Sequence, residues 1–158
     1  MPTVVAFHEW RVEADPALTA RVVSQREALD RTHCNLCAVW MAAVERQLVP
    51  ATVLEFLAHV GVDTSRPVEL WGAPDGGFLG GWFDFAGHLT DGAWAGGSSG
   101  AYAEPAPGFV CWVTGTPSMQ PSPEYADSPV AQFEFEWTSN DVTQLESEVW
   151  NQEHTRGV

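Results

Sequence analysis

The chain contains no lysine. Its seven basic residues are all arginine, they stand against 21 acidic residues, and the formal net charge is −14 over 158 residues. The segment 67–155 has neither lysine nor arginine but carries thirteen carboxylates. Binding to the phosphates of DNA, RNA or anionic lipid depends on clustered basic side chains. The composition therefore argues against a nucleic-acid or membrane partner and points to a basic protein.

Long apolar runs and a secretory leader are also missing. The apolar runs extend over only a few residues, whereas a membrane-spanning helix needs about 20. The first fifteen residues have early acids and no basic segment, which predicts no signal peptide. Cys34, Cys37 and Cys111 form an odd set with one close pair, unlike a secreted disulfide framework. We expect a reduced, cytoplasmic protein.

The apolar content of 45%, with eight tryptophans and eight phenylalanines, is that of a folded chain. At this length one domain over residues 1–158 is expected. Helical spacing of apolar residues dominates up to about residue 61, and aromatic, glycine-rich strand patterns dominate from about residue 62 onward. Helices followed by strands predict an α+β fold, here with a mostly antiparallel sheet and a C-terminal helix.

The predicted elements follow from local signals. A short strand at 4–7 precedes helices at 15–31, from Thr32 onward, and at 50–61. Strands are expected at 68–71, 78–85, 109–114 and 130–137, the first two joined as a hairpin, with a final helix starting at Ser139 or Asn140.

The last predicted strand alternates most regularly. Phe133, Phe135 and Trp137 fall on one side and Glu134 and Glu136 on the other. An antiparallel strand with one solvated side has this pattern. In the hairpin, Trp82 falls opposite its phenylalanine neighbours, so some aromatic side chains are expected on the outer side, beside acids.

These observations predict an acidic surface in the sheet part of the chain that binds a basic protein. Glu134 and Glu136 are its first members because alternation places them together. The further candidates for partner binding, in loops, turns or strands, are Asp75, Asp84, Asp91, Glu124, Asp127 and Trp82.

Cys34 and Cys37 form the one close cysteine pair. Such a pair supplies half of a zinc site, and it is also the spacing of a redox-active disulfide at a helix N-terminus. A second metal-binding pair is missing from the sequence, and the preceding segment has a helical rather than a strand pattern. The third reading is a reduced pair on one face of a helix. No cofactor is expected, with zinc on Cys34 and Cys37 as the alternative.

No motif identifies a reaction, which favours a protein that is not an enzyme. Residues Gly96–Gly100 match the GxSxG pattern of serine hydrolases, but they lie in a predicted loop without a following helix. In its size, acidity and α+β pattern the chain is similar to bacterial immunity proteins and antitoxin-like inhibitors. That resemblance implies neutralisation of a basic toxin or nuclease. The alternatives are a small zinc or redox protein and a small-molecule binder with an aromatic pocket. The oligomeric state does not follow from the sequence.

Overall fold

The computed structural model describes residues 2–92, 102–115 and 120–155, apart from the side chains of residues 153–155. In this part of the chain there are four α-helices and seven strands. The strands are β1 Thr3–Phe7, β2 Trp10–Ala14, β3 Glu69–Ala73, β4 Phe78–Asp91, β5 Ala103–Ala106, β6 Phe109–Thr114 and β7 Val130–Thr138. The helices are α1 Pro16–Ser24, α2 Asn35–Glu45, α3 Ala51–His59 and α4 Asn140–Thr155. None of the helices in the described ranges is long and apolar enough to cross a bilayer.

The mixture of helices with an antiparallel sheet is confirmed, but the predicted order is wrong at the N-terminus. Two strands precede the helices and pair as an antiparallel hairpin: β1 matches the short strand predicted at 4–7, whereas β2 lies where no strand was predicted. In β2 the side chains of Trp10, Val12 and Ala14 are buried, whereas Arg11 is exposed. This period of two is that of a strand packed on one face, and the sequence analysis did not assign it.

The helix boundaries also differ from the prediction. Helix α1 ends at Ser24, and residues 25–34 connect it to α2 without regular structure until Cys34 caps the next helix. Helix α3 starts after Pro50, as predicted, and Gly61 follows it with a left-handed φ of 87°. Glycine adopts this conformation without steric cost.

The seven strands form a sheet in the order β1-β2-β4-β7-β6-β5, and β3 pairs with the first half of β4. Strand β2 pairs with the second half of β4, so β2 and β3 share one edge of this long strand. The strands at 109–114 and 130–138 are as predicted, but β5 lies within a segment predicted to be a loop.

Helices α2 and α3 cover one face of the sheet, which we call the inner face. The Trp40 ring stacks on Phe135 with centroids 4.8 Å apart, and Phe56 lies 5.8 Å from both Phe85 and Phe133. Aromatic pairs at these separations add to the stabilisation from burial. The inner face is therefore the main hydrophobic core.

Helix α1 packs on the opposite, outer face, but only at one end. Val22 of α1 forms a small buried cluster with Ala86 of β4 and with Tyr125, which lies in the 3₁₀ turn Pro123–Tyr125. The Thr19 hydroxyl accepts a hydrogen bond from the Ala86 amide at 2.9 Å. The outer-face side chains near the start of β4 do not belong to this cluster.

Candidate partner-binding face

The sheet register brings tryptophans and glutamates together in one row on the outer face. Trp82 of β4 stands opposite Glu134 of β7, and Trp112 of β6 stands opposite Glu134 on its other side. Glu69 of β3 stands opposite Trp82. The indole N–H of Trp82 donates to Glu69 at 3.4 Å, and Trp112 hydrogen-bonds to Glu134. Each carboxylate in the row thus touches a tryptophan.

A second row lies beside the first. It contains Trp71 of β3, Gly80 of β4 and Glu136 of β7. A Cβ atom placed on Gly80 would lie 2.4 Å from Nε1 of Trp71, so the indole ring lies directly over this glycine. A glycine inside a strand is typical of a site where another group approaches the backbone closely, and here that group is the Trp71 side chain.

We call these six side chains the aromatic–carboxylate patch: Glu69, Trp71, Trp82, Trp112, Glu134 and Glu136. Glu69 and Glu136 are exposed, whereas Glu134, Trp71 and Trp112 are half-buried. Trp82 has only 5% of its surface exposed and forms the floor of the patch. The patch combines apolar area with carboxylates that solvent reaches.

Glu134 is the electrostatically unusual member of the patch. Partial burial and the nearby charge of Glu136 raise the pKa of its carboxyl above the ordinary value. Hydrogen bonds from Gln132, at 3.0 Å, and from Trp112 oppose this rise. Removal of water from a carboxylate and a like charge beside it both disfavour the ionised form. A cation close to Glu134 would stabilise the ionised carboxylate and so oppose both effects.

Asp84, predicted to bind the partner, is instead part of the interior. It is 4% exposed, its carboxylate accepts from Arg26 at 2.5 Å and from the Tyr125 hydroxyl at 2.9 Å, and α1 closes this end of the face. Burial and the charge of Asp84 raise the pKa of the Tyr125 hydroxyl. The Asp84 carboxylate is therefore held by partners within the fold.

The remaining predicted acids are exposed but scattered. Asp75 lies in the 3₁₀ turn before β4, and Asp91 lies at the other end of that strand. Fourteen residues of strand extend over about 45 Å, so these two carboxylates do not share a site. Glu124 and Asp127 lie in and after the 3₁₀ turn beside α1. The structure gathers Glu134, Glu136 and Trp82, and it adds Glu69, Trp71 and Trp112, which the sequence analysis assigned to no site.

The separation of acidic from basic residues along the sequence is less pronounced in the folded structure. Besides the Arg26–Asp84 pair, Arg46, the C-cap of α2, forms an ion pair with Glu148 of α4. Both carboxylates belong to the segment that lacks basic residues, yet arginines from the first part of the chain neutralise them. No such ion pair involves the carboxylates of the patch among the residues that the structure describes.

The cysteine pair is oxidised, contrary to the expectation of two thiols. Cys34 and Cys37 form a disulfide at the N-terminus of α2. Zinc on these residues stays an untested prediction, and it would first require reduction of the disulfide. Within the described ranges, no group of three or more His, Cys, Asp or Glu side chains is placed to hold a metal ion. Cys111 is a free thiol in the core, and burial raises its pKa to about 12.

A cavity of about 700 Å³ lies between the connection that precedes α2, α2 itself and α4. Arg31 and Arg46 line it, but both guanidinium groups already form ion pairs, with Glu45 and Glu148 respectively. These guanidinium groups thus have partners within the chain, and none of the described residues that line the cavity is aromatic. This cavity is therefore not the aromatic pocket that the sequence offers as an alternative, and that alternative stays a prediction. The GxSxG residues 96–100 lie outside the described residues.

Comparison of the chain with protein-family models, with curated proteins and with solved structures finds no match.

Proposed function

We propose that the protein is an acidic binding module of the immunity or inhibitor type that neutralises a basic protein, such as a toxin or nuclease, through the aromatic–carboxylate patch. One observation carries the proposal: Glu134 lies between Trp82 and Trp112 with a raised pKa and with Glu136 beside it. A half-buried carboxylate in this setting gains most from a cation that arrives with its own apolar surroundings.

Arginine and lysine side chains of a protein have the chemistry that fits the patch. A guanidinium stacks on an indole face and donates two parallel hydrogen bonds to a carboxylate. Close charge pairs at protein interfaces couple by about 1.5–7 kcal/mol. Tryptophan is among the residues that contribute most to binding energy at interfaces. Trp71 and Trp112 would supply the stacking surfaces, and Glu134 and Glu136 the acceptors.

The net charge of −14 supports the same partner through long-range attraction. An acidic protein steers a basic one toward it, and salt weakens this effect. The carboxylates outside the patch, including Asp75 and Asp91, would contribute to the association rate rather than to direct contacts.

The test is charge reversal of the patch. The partner is first captured from the native host, and its affinity is then measured by calorimetry for the wild type and for Glu134→Lys/Glu136→Lys. We expect binding at least tenfold weaker and a flatter salt dependence. The matched control is Glu27→Lys/Glu55→Lys, which changes the net charge equally at two exposed positions outside the patch.

Two results would contradict the proposal. One is a captured partner that is itself acidic. The other is an affinity that stays constant between about 0.05 and 0.5 M salt, a range over which screening of charges changes strongly. Equal weakening by the patch variant and by the control would place the effect in the net charge rather than in the patch.

A further inference from the structure

We propose that Cys34 and Cys37 form a thiol–disulfide exchange site, with Cys34 as the sulfur that reacts with an external thiol. The disulfide closes at the N-terminus of α2, where Cys34 is the capping residue and Cys37 lies in the first turn. This site lies on the helix that packs on the inner face, so it is independent of the aromatic–carboxylate patch.

The two sulfurs differ in access. Cys34 is half-buried, and the residues before it, Asp30, Thr32 and His33, are exposed. Cys37 is 8% exposed and belongs to the buried side of the helix. An external thiolate therefore reaches Cys34, and Cys37 is the leaving group. Which sulfur is attacked depends on such access.

The backbone is arranged to stabilise a thiolate on Cys34 after reduction. The Cys37 amide donates to the Cys34 sulfur at 3.2 Å, as a capping bond. The amides of a first helical turn, with the positive end of the helix dipole, favour a negative charge at the cap. Cys34 thus combines access with a fixed donor, whereas Cys111 is buried and its pKa is raised to about 12.

The exchange balances with a dithiol as co-reactant. One thiolate of the dithiol attacks Sγ of Cys34, the Cys34–Cys37 bond breaks, and Cys37 leaves as a thiolate that takes up a proton. The second thiolate of the dithiol then attacks the dithiol's other sulfur, which is bonded to Cys34 in the mixed disulfide. This releases Cys34 as a thiolate that takes up a proton. The dithiol loses two electrons and becomes a disulfide, and the protein gains them as two thiols.

The test uses the full chain in redox buffers of reduced and oxidised dithiothreitol, without denaturant. Thiols are trapped by alkylation and assigned by peptide mass spectrometry, and circular dichroism checks that the fold persists. We expect Cys34 and Cys37 to open and close reversibly, while Cys111 stays unlabelled until the chain is unfolded. Cys37→Ser is expected to form a mixed disulfide with oxidised glutathione on Cys34 at least tenfold faster than Cys34→Ser forms one on Cys37.

Reduction that requires denaturant would overturn the proposal, as would a reduced Cys34 and Cys37 pair that fails to form the disulfide again. Faster mixed-disulfide formation on Cys37 than on Cys34 would do the same. If either single variant fails to fold, the order of labelling of the two cysteines in the briefly reduced wild type gives the same comparison. None of these outcomes depends on whether the protein binds a basic partner.

Discussion

The buried ion pair between Arg26 and Asp84 allows a sharp test of whether Asp84 supports the fold or binds a partner. The Asp84 side chain is 5% exposed and that of Arg26 is 22% exposed. Removal of one member of a buried pair leaves an uncompensated charge and costs about 3–5 kcal/mol. Because Arg26 keeps some contact with solvent, we expect about 2–4 kcal/mol for Asp84→Asn and for Arg26→Met.

A double-mutant cycle separates the pair from its surroundings. In Asp84→Asn the Arg26 guanidinium loses its carboxylate, and its buried Nη1 already has no hydrogen-bond partner among the described residues. In Arg26→Met the carboxylate keeps the Tyr125 hydroxyl. The double variant has neither charge, so it is expected to lose less than the sum, with a coupling energy of about 1–3 kcal/mol.

The assay is urea unfolding followed by tryptophan fluorescence, with thermal melts in parallel. For a chain of this size each kcal/mol shifts the melting temperature by about 2–4 °C, so each single variant is expected to melt about 4–16 °C lower. Glu45→Gln, which breaks the exposed pair with Arg31, is the control and should hardly move the transition. A change below about 1 kcal/mol for Asp84→Asn, together with weaker partner binding, would refute the structural role of Asp84.

Two further predictions concern the patch. Gly80→Ala places a methyl group against the Trp71 indole and should weaken partner binding several-fold without a change in charge. Gly115→Ala is the control and should not, because no atom of the described residues lies within 4 Å of the new Cβ atom. Equal affinities of Gly80→Ala and the wild type in calorimetry would show that Trp71 does not contact the partner. Affinity should rise with pH through the raised pKa of Glu134, because a bound cation lowers that pKa and the complex then holds fewer protons than the free protein. Glu134→Gln should remove this pH dependence, and a persistent one would assign it to another group.

The sequence predicted the strand in which a period of two extends over many residues and missed two strands that are short or irregular. In β7 the residues from Ala131 to Trp137 alternate over the whole strand, and this strand has the predicted bounds at its start. Strand β2 shows the same period over only five residues, next to a strong helix-start signal at Asp15. Strand β5 is only four residues long and one of them is a proline. Its pairing with β6 is irregular, so no local pattern reveals it.

The patch was only half visible in the sequence for a physical reason. Alternation within one strand places Glu134 and Glu136 on one side without any knowledge of neighbours. The residues that stand opposite them depend on strand order and register, which long-range pairing determines. Trp112 and Glu69 come from strands distant in the chain, so sequence alone leaves them among many aromatic and acidic residues.

Asp84 shows the opposite error, since composition assigns to the surface a charge that the fold buries. Its partner Arg26 lies in the connection after α1, within the first 66 residues, which hold six of the seven arginines. A count of charges along the sequence compares residues 1–66 with residues 67–155 and does not show which charges meet in the folded chain. Once α1 packs on the outer face, the arginine of one segment neutralises the acid of the other, and the patch is the part of that face where no such neutralisation is described.

The raised pKa of Glu134 gives the partner proposal its thermodynamic content. A carboxyl whose pKa is higher in the folded than in the unfolded chain takes up a proton more readily when folded. Its ionisation therefore costs folding free energy above that raised pKa, and the cost disappears below the pKa of the unfolded chain. Natural proteins keep locally unfavourable arrangements of this kind chiefly at functional sites. A cation bound to Glu134 and stacked on Trp71 or Trp112 would reverse the sign of this contribution, so the same carboxylate that weakens the free protein would stabilise the complex.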